Sequence, residues 1–382
     1  MLQQRISALL FAACLATACA RDEDYGFIAR LGDDTTSVEH VRRTGNRIVS
    51  DVVERSPRVV RKHWEANLDG DGKLRDWTMT KRIMNPSPVE SESTTYRMAF
   101  DADSVVVTEE NGRSTRRYLV SDVLPVTVPW EAYVYGLYEL LFERALAQNT
   151  DSVAIRQYIP GVGLLRGVVR KRSSDSLTFV TGGLAGTGSA RFTADRRMST
   201  YSGRFTTYKQ EVQRVTEVPD LDAIAARFAA SERSAPVRSM SVRDTSVYQV
   251  GTATLTIDYS RPLRRGRTIL GEVVPFGTVW RTGANAATQL TTDTDVVIGG
   301  IPLPRGTYTL WTLPERNTVQ LIINRQTGQW GTRYNPQLDV GRAEMRAEAL
   351  TSPVDSFTIR ADSATLLIEW DRFRWSAPVL VR

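Results

Sequence analysis

Nearly every stretch of this chain that could bury a face is short, rich in branched or aromatic residues, and cut off by turn chemistry. Arg58 to Leu68 and Leu74 to Met84 flank Asp69-Gly70-Asp71-Gly72, and Val105 to Glu110 and Thr115 to Val120 flank Asn111-Gly112. Asn-Gly between two such runs is a strong hairpin signal, because both residues tolerate the positive φ of a tight two-residue turn. Further strands are predicted at Val153 to Tyr158, Gly163 to Arg172, Ser176 to Val180, Ala190 to Ala194 and Arg204 to Arg214. A chain patterned this way must satisfy its backbone in antiparallel sheet.

One long helix interrupts the strands. Pro129 suits a first helical position, and the segment from Trp130 to about Gln148 carries an apolar stripe of Trp130, Val134, Leu137, Leu141 and Ala145. Tyr133, Tyr138, Leu140, Phe142 and Leu146 widen that stripe, so the helix is expected to be buried along much of its girth. The simplest arrangement is a curled antiparallel sheet, half-barrel-like, wrapped around it. That pattern resembles the half-barrel-plus-helix design of envelope carriers for lipids and lipoproteins. A plain core helix and a carrier of an apolar ligand both stay open.

At 382 residues the chain is long for one domain, and two are expected. Pro219 and Asp220 start a short helix with Leu221, Ile224, Ala225 and Phe228 on one face, followed by polar, unpatterned sequence from Ser231 to Arg243. Strands then return at Thr252 to Tyr259, Thr288 to Thr292, Val296 to Ile298, Thr307 to Leu313, Val319 to Ile323, Ala343 to Leu350, Ser356 to Ala361, Leu366 to Trp370 and Ala377 to Val381. With no substantial helix among them, they predict an antiparallel β-sandwich. The assignment is residues 1–18 signal peptide, 19–37 tether, 38–218 N-terminal β domain with one helix, 219–243 helical and polar linker, and 244–382 β-sandwich.

Between the first two sandwich strands runs a long connection that packing alone does not call for. It holds Arg261, Arg267, Glu272, Trp280, Arg281, Thr282, Gly283 and Asn285, and ends at Thr288. Trp280 and Arg281 are adjacent, so on a strand they face opposite sides: if the indole packs inward, the guanidinium points outward or into a cleft. A guanidinium is a planar fork of donors suited to carboxylate or phosphate. Asp258, Arg261, Glu272, Trp280, Arg281, Thr282, Asn285 and Thr288 are the candidate ligand-binding residues, with Tyr259, Trp311 and Trp330 as candidate stacking faces for a glycan or anionic small molecule. The competing reading is structural: Arg281 pairs with Asp258 or Glu272 and pins the loop.

The segments Asp258-Tyr259-Ser260-Arg261-Pro262, Arg267-Thr268-Ile269-Leu270-Gly271, Val274-Pro275-Phe276-Gly277 and Val279-Trp280-Arg281-Thr282-Gly283-Ala284-Asn285 follow in order. Gly299-Gly300-Ile301-Pro302-Leu303-Pro304-Arg305-Gly306-Thr307-Tyr308 and Gln329-Trp330-Gly331 come after them. Together they resemble the bacterial domain of unknown function numbered 2911. The resemblance covers roughly the last third of the chain and implies a bacterial envelope protein. It transfers no activity and no functional residue.

Arg5, the apolar run from Ile6 to Leu15 and the small residues before Cys19 read as a cleaved export signal, too short to span a bilayer. Leu15-Ala16-Thr17-Ala18-Cys19 resembles a bacterial lipobox, in which Cys19 would be acylated and become the first mature residue. The alternative is ordinary cleavage leaving a bare thiol. Cys14 lies inside the discarded segment, so a mature internal disulfide is excluded. The expected location is the bacterial envelope, at the periplasmic face or outer membrane, with the membrane as partner through Cys19.

Other chemistries fare worse. The net charge of +6 is mild, acidic residues are interspersed, and no nucleic-acid module is present. Asn67, Asp69, Asp71 and Gly72 match the start of a calcium loop, but Thr78 stands where a bidentate glutamate belongs, so a hairpin turn is expected. His40 and His63 are the only histidines and lack metal-ligand spacing, His40 reading as a solvated loop residue and His63 as a strand surface residue. No metal or cofactor is expected. The C-terminal half has neither histidine nor cysteine, leaving Asp258 and Glu272 as the pair a two-carboxylate hydrolase of glycans would use. The role expected overall is non-catalytic binding or envelope organisation, with the hydrolase and the carrier as alternatives. Cys19→Ser is expected to abolish incorporation of labelled palmitate and to move the protein from the membrane to the soluble fraction. Retained label in that variant would refute acylation at Cys19.

Overall fold

The computed structural model describes residues 22–55, 57–86, 92–101, 104–112, 114–121, 126–160, 162–181, 186–234 and 240–382. The expected signal segment with Cys14 and Cys19, and residues 182–185 of the glycine-rich stretch, lie outside them.

The N-terminal half is one fifteen-stranded sheet. Its first arm is β1 (Glu23–Leu31), β2 (Asp34–Thr44), β3 (Arg47–Arg55), β4 (Val59–Leu68), β5 (Leu74–Ile83), β6 (Ser93–Phe100), β7 (Ser104–Asn111) and β8 (Ser114–Ser121). After β9 (Thr127–Pro129) and α1 (Tyr135–Leu146), the chain returns through β10 (Ser152–Ile159), β11 (Gly163–Ser173), β12 (Ser176–Thr181), β13 (Gly186–Phe192), β14 (Met198–Thr206) and β15 (Glu211–Val215). β15 pairs with β1, so first and last strands meet mid-sheet and the two arms spread from there. Every pairing is antiparallel except that of β9 with β10. The sheet curls until its two flanks touch: the hydroxyls of Tyr118 on β8 and Tyr158 on β10 are hydrogen-bonded.

The concave face is filled by α1. Leu137, Leu141 and Phe142 are 1%, 0% and 0% exposed, and Tyr138, Phe179 and Tyr201 crowd around Phe142 with ring centroids 5.4–6.4 Å apart. Edge-on and offset contacts of this kind add to the area term of burial, itself about 1.5–3 kcal/mol per large side chain. The apolar stripe expected to line a carrier's cavity is in contact with core side chains along its length.

What holds the helix in the curl is Glu39, whose carboxylate lies wholly inside. It accepts from Ser50 Oγ (2.9 Å), Trp64 Nε1 (3.1 Å), Gly136 N (3.0 Å) and Tyr135 N. The last two are first-turn amides that no helical carbonyl can reach, and the helix dipole favours an anion there. Burial nevertheless pushes the carboxyl above its ordinary range, against those four donors. The N-terminal cap therefore comes from a distant strand, which explains why the helix begins five residues later than Trp130. Pro129 belongs to β9, Trp130 N donates to Tyr158 O, and Tyr133 takes φ 62° in the turn between.

Three further expectations change. The segment read as a tether contains β1, at the middle of the sheet, with Tyr25, Phe27 and Ala29 buried on one face. Arg204 to Arg214 is two strands, because the chain turns back at residues 207–210 with Gly203 N donating to Gln210 O. The helix placed in a linker, α2 (Leu221–Ser234), packs Ile224, Ala225 and Phe228 against Val38, Val53 and Val59 on the convex face, capped by Asp220. His63 is on that convex face as expected, paired with Asp51, whereas His40 lies in β2 rather than in a loop and pairs with Asp24. The Asp69 loop is a hairpin turn, its Oδ1 accepting from Asp71 N and Lys73 N.

The C-terminal half is a sandwich. β16 (Ser241–Val250), β17 (Ala253–Pro262), β18 (Thr288–Thr292), β21 (Gly306–Pro314), β22 (Val319–Asn324) and β23 (Asp339–Glu344) form one sheet. β19 (Val296–Ile298), β20 (Ile301–Leu303), β24 (Arg346–Ala361) and β25 (Thr365–Val381) form the other. Leu255, Ile257, Leu290, Leu321 and Ile323 meet Phe357, Ile359, Ile368 and Trp370 between them. Strands predicted as separate pairs fuse into the long β24 and β25, whose register shifts between Ala349 and Thr358 absorb the bend. β16 also starts at Ser241, inside the segment read as unpatterned.

Glu39→Gln turns two acceptor oxygens into one and aims an amide at donors. It is expected to cost roughly 2–4 kcal/mol in urea unfolding, against less than about 1 kcal/mol for the exposed Glu65→Gln. Equal losses would remove Glu39 from its anchoring role.

Candidate functional site

Residues 263–287, joining β17 to β18, fold back against both the sandwich and the N-terminal sheet. Three bridges fix the loop to its own domain: Leu263 with Ser356, Trp280 with Thr312, and Ala286 with Trp330. Backbone turns at Thr282 (φ 53°) and Asn285 (φ 59°) reverse the chain around Gly283. Thr282 is completely buried, its hydroxyl shared between Trp280 O and Thr312 Oγ1, and Thr288 Oγ1 donates to Thr282 O at 2.6 Å. These two threonines hold the turn and face no solvent.

Trp280 and Arg281 face opposite sides, as alternation demands. The indole stacks on Trp370 at 6.0 Å and meets Phe357 edge-on at 5.1 Å, as part of the sandwich core. Asp258 is held by Arg243 through two hydrogen bonds. Arg261 ties the two sheets together, donating to Asp244 Oδ2, Phe357 O and Thr358 Oγ1. Glu272 reaches across to the other domain and pairs with Arg204 at 2.6 Å. The two carboxylates proposed for hydrolysis are thus engaged by different arginines, and neither pairs with Arg281.

Arg281 is left without a counter-ion. The guanidinium is largely buried, burial holds its pKa below the ordinary arginine value, and it makes no hydrogen bond or ion pair among the described residues. Its Nε is shut off from solvent. Gly331 covers the side chain so closely that a Cβ there would lie 2.0 Å from Arg281 Cδ. Trp330 is 49% exposed, while Tyr259 and Trp311, at 3% and 1%, are core residues. Among the described residues none of the three rings makes a cation–π contact with Arg281. Asn285 stays near the loop through its carbonyl, which accepts from Gly331 N at 2.9 Å.

The field of Arg281 acts on one cation of the other domain, Lys209. Lys209 comes from the β14–β15 turn of the N-terminal sheet, with φ 52°, and donates to Arg204 O at 3.3 Å. Burial first, then the fields of Arg281 and Arg267, bring its ammonium down to about 8. Arg267 donates to Arg264 O and Leu263 O, and burial with the charge of Arg265 lowers it to about 10, with Asp355 acting in the opposite sense. Sequence reasoning missed Lys209 because the turn that presents it was read as uninterrupted strand. Nothing local to Tyr208-Lys209-Gln210 marks it.

This cluster lies where the two domains meet. Asp33 N donates to Arg265 O at 3.1 Å, and Arg265 pairs with Asp34. Gly32, at φ 62°, lets the backbones touch, since a Cβ would sit 2.0 Å from Arg265 O. A separate pocket of about 380 Å³ opens on the other side of Arg265, bordered by Asp33, Arg55, Arg227 and Phe228. Among the described residues no helix is long and apolar enough to cross a membrane, and no cluster of His, Cys, Asp and Glu could hold a metal ion.

With its pKa lowered, Lys209 destabilises the folded state while both states are protonated. That penalty fades as pH rises through the folded value of about 8 toward the unfolded one. In anion-free buffer Lys209→Met is expected to melt above wild type near pH 7, with the gap narrowing above pH 8 and closing only near the ordinary lysine value of 10.5. A gap independent of pH would contradict the cation cluster.

No curated protein matches the chain. Two solved structures are similar in part. A DUF1089 family protein from Pseudomonas aeruginosa is 13% identical, with 46% of this chain and 94% of that one covered at a TM-score of 0.35. A beta-barrel-like protein of domain of unknown function DUF1849 from Brucella abortus is 10% identical, with 52% and 96% covered at a TM-score of 0.33. Residues 241–379, which span the sandwich, match the family described as protein of unknown function (DUF2911), so the C-terminal third of the chain carries that family's pattern.

Proposed function

We propose that this is an exported, lipid-anchored protein of the bacterial envelope that binds an anion reversibly at the joint between its two domains, without making or breaking a bond. The observation that carries the reading is the Arg281 guanidinium, largely buried, with its Nε shut off from solvent and without an acidic partner among the described residues.

An ion taken out of water without a partner costs several kcal/mol, and the usual remedy is a neighbouring opposite charge. This chain applies that remedy elsewhere: Lys62 lies between Glu54 and Glu131, and Arg214 meets Glu139. At Arg281 it does not. A bound anion would supply the missing charge and accept from donors already fixed in place, which is what gives charge-assisted hydrogen bonds their strength. Export and anchoring rest on the Cys19 pattern and the apolar run before it.

The test is calorimetric titration of the mature protein with inorganic phosphate. Arg281→Met is expected to weaken binding at least ~10-fold, the loss of a charge-assisted contact. In anion-free buffer the same variant should melt no lower than wild type, because it removes an uncompensated charge. A large loss of melting temperature would instead make Arg281 a structural lock.

A further inference from the structure

We infer that the pocket beside Arg265 is a second binding site, and that it takes a small zwitterion: a molecule with an ammonium at one end and an acid group, carboxylate or phosphate, at the other. Neither Arg281 nor Lys209 lines this pocket, so the inference stands apart from the reading above.

Two guanidiniums define the acid end. Arg55, the last residue of β3, and Arg227, on α2, lie 5.9 and 5.8 Å from the centroid of the Phe228 ring, and all three border the pocket. Phe228 is itself 3% exposed and packed with Val38, Val53 and Val59, so the ring gives both cations a fixed face. Arg55 also donates to Ser231 Oγ on α2 at 2.9 Å, which ties strand to helix. That is its one side-chain hydrogen bond among the described residues, and Arg227 makes none. Neither has a carboxylate partner there. Two stationed planar forks, with nearly all their donors free, suit a carboxylate or a phosphate.

Asp33 defines the ammonium end. Its carboxylate borders the same pocket and lies over Gly266, where a Cβ would stand 1.9 Å from Oδ2. It has no hydrogen bond or ion pair among the described residues, whereas the next acid, Asp34, is taken by Arg265. Glu54 pairs with Ser37, which puts Arg55 beside Thr36, and Asp33 stands three residues back, at most roughly 11 Å along the chain. One cavity of about 380 Å³, within the roughly 300–1,000 Å³ of ligand pockets, thus holds a free acid apart from two free guanidiniums, and no ion pair joins them across it. A plain acid would answer the arginines and leave Asp33, and a plain amine would do the reverse. A zwitterion answers both, its own charges running in the opposite order to those of the walls.

Calorimetric titration of the full mature chain with 4-aminobutyrate, phosphoethanolamine, butyrate and butylamine tests this. At least one of the two zwitterions is expected to bind, with the one-ended butyrate and butylamine each at least ~10-fold weaker. Asp33 and Arg227 are exposed, so variants at both are expected to fold, and each isolates one end. Asp33→Asn should erase the advantage of the zwitterion over butyrate, and Arg227→Gln its advantage over butylamine. A merely structural role would lower the melting temperature without this crossed pattern. Tighter binding of phosphoethanolamine assigns the acid end to phosphate, and tighter binding of 4-aminobutyrate assigns it to carboxylate. Butyrate binding as tightly as both zwitterions overturns the ammonium end. Zwitterion binding that both variants leave intact overturns the site, and no heat from either zwitterion overturns the inference.

Discussion

The carboxylate of Glu39 is the constraint on which the rest of the molecule hangs. It is wholly buried, in β2, and two of its four donors are the first amides of the helix. That fixes where α1 begins, and so how the sheet must curl to enclose it. It also fixes the turn just before the helix, where Trp130 and Tyr133 pack edge-on against Tyr208 at 6.0 and 5.7 Å. Tyr208 is the neighbour of Lys209. The carboxyl buried deep in the N-terminal sheet is thus connected, through two aromatic contacts on Tyr208, to the turn that carries Lys209.

The two regions treat charge in opposite ways. Inside the curl, buried cations among the described residues have acidic partners: Lys62 has Glu54 and Glu131, Arg197 has Glu143 and Glu23, Arg214 has Glu139. Paired in this way, Lys62 is held above the ordinary lysine value although it is buried, because its two acids outweigh desolvation. Lys209 is held below that value by burial first, with no acid to offset it and with like-charged residues adding to it. Two buried lysines of one chain are shifted in opposite directions because only one of them is given acidic partners.

Much of the fold was legible. Strand runs between turn signals placed most of the hairpins, and the width of the α1 stripe implied a helix enclosed by sheet, as Leu137, Leu141 and Phe142 confirm. The apolar face of α2 was also correct residue for residue, although its partner was not foreseen. The misreadings share one cause. β1 alternates Tyr25, Phe27 and Ala29, but its place in the middle of the sheet depends on a distant partner, β15, where Gly26 pairs with Val215. The late start of α1 depends on Glu39, ninety-six residues from Tyr135.

The sequence by itself determined that the chain would be built from antiparallel strands with one enclosed helix, that its last third would be a sandwich, and that Trp280 and Arg281 would part to opposite sides. These follow from local periodicity, which each residue carries with it. Which charges would be answered was decided only by tertiary structure. Asp258 went to Arg243, Glu272 to Arg204, and Lys209 was brought to Arg281 by a turn in another domain. Electrostatic partnership depends on distance and burial, and neither is written in the order of the residues.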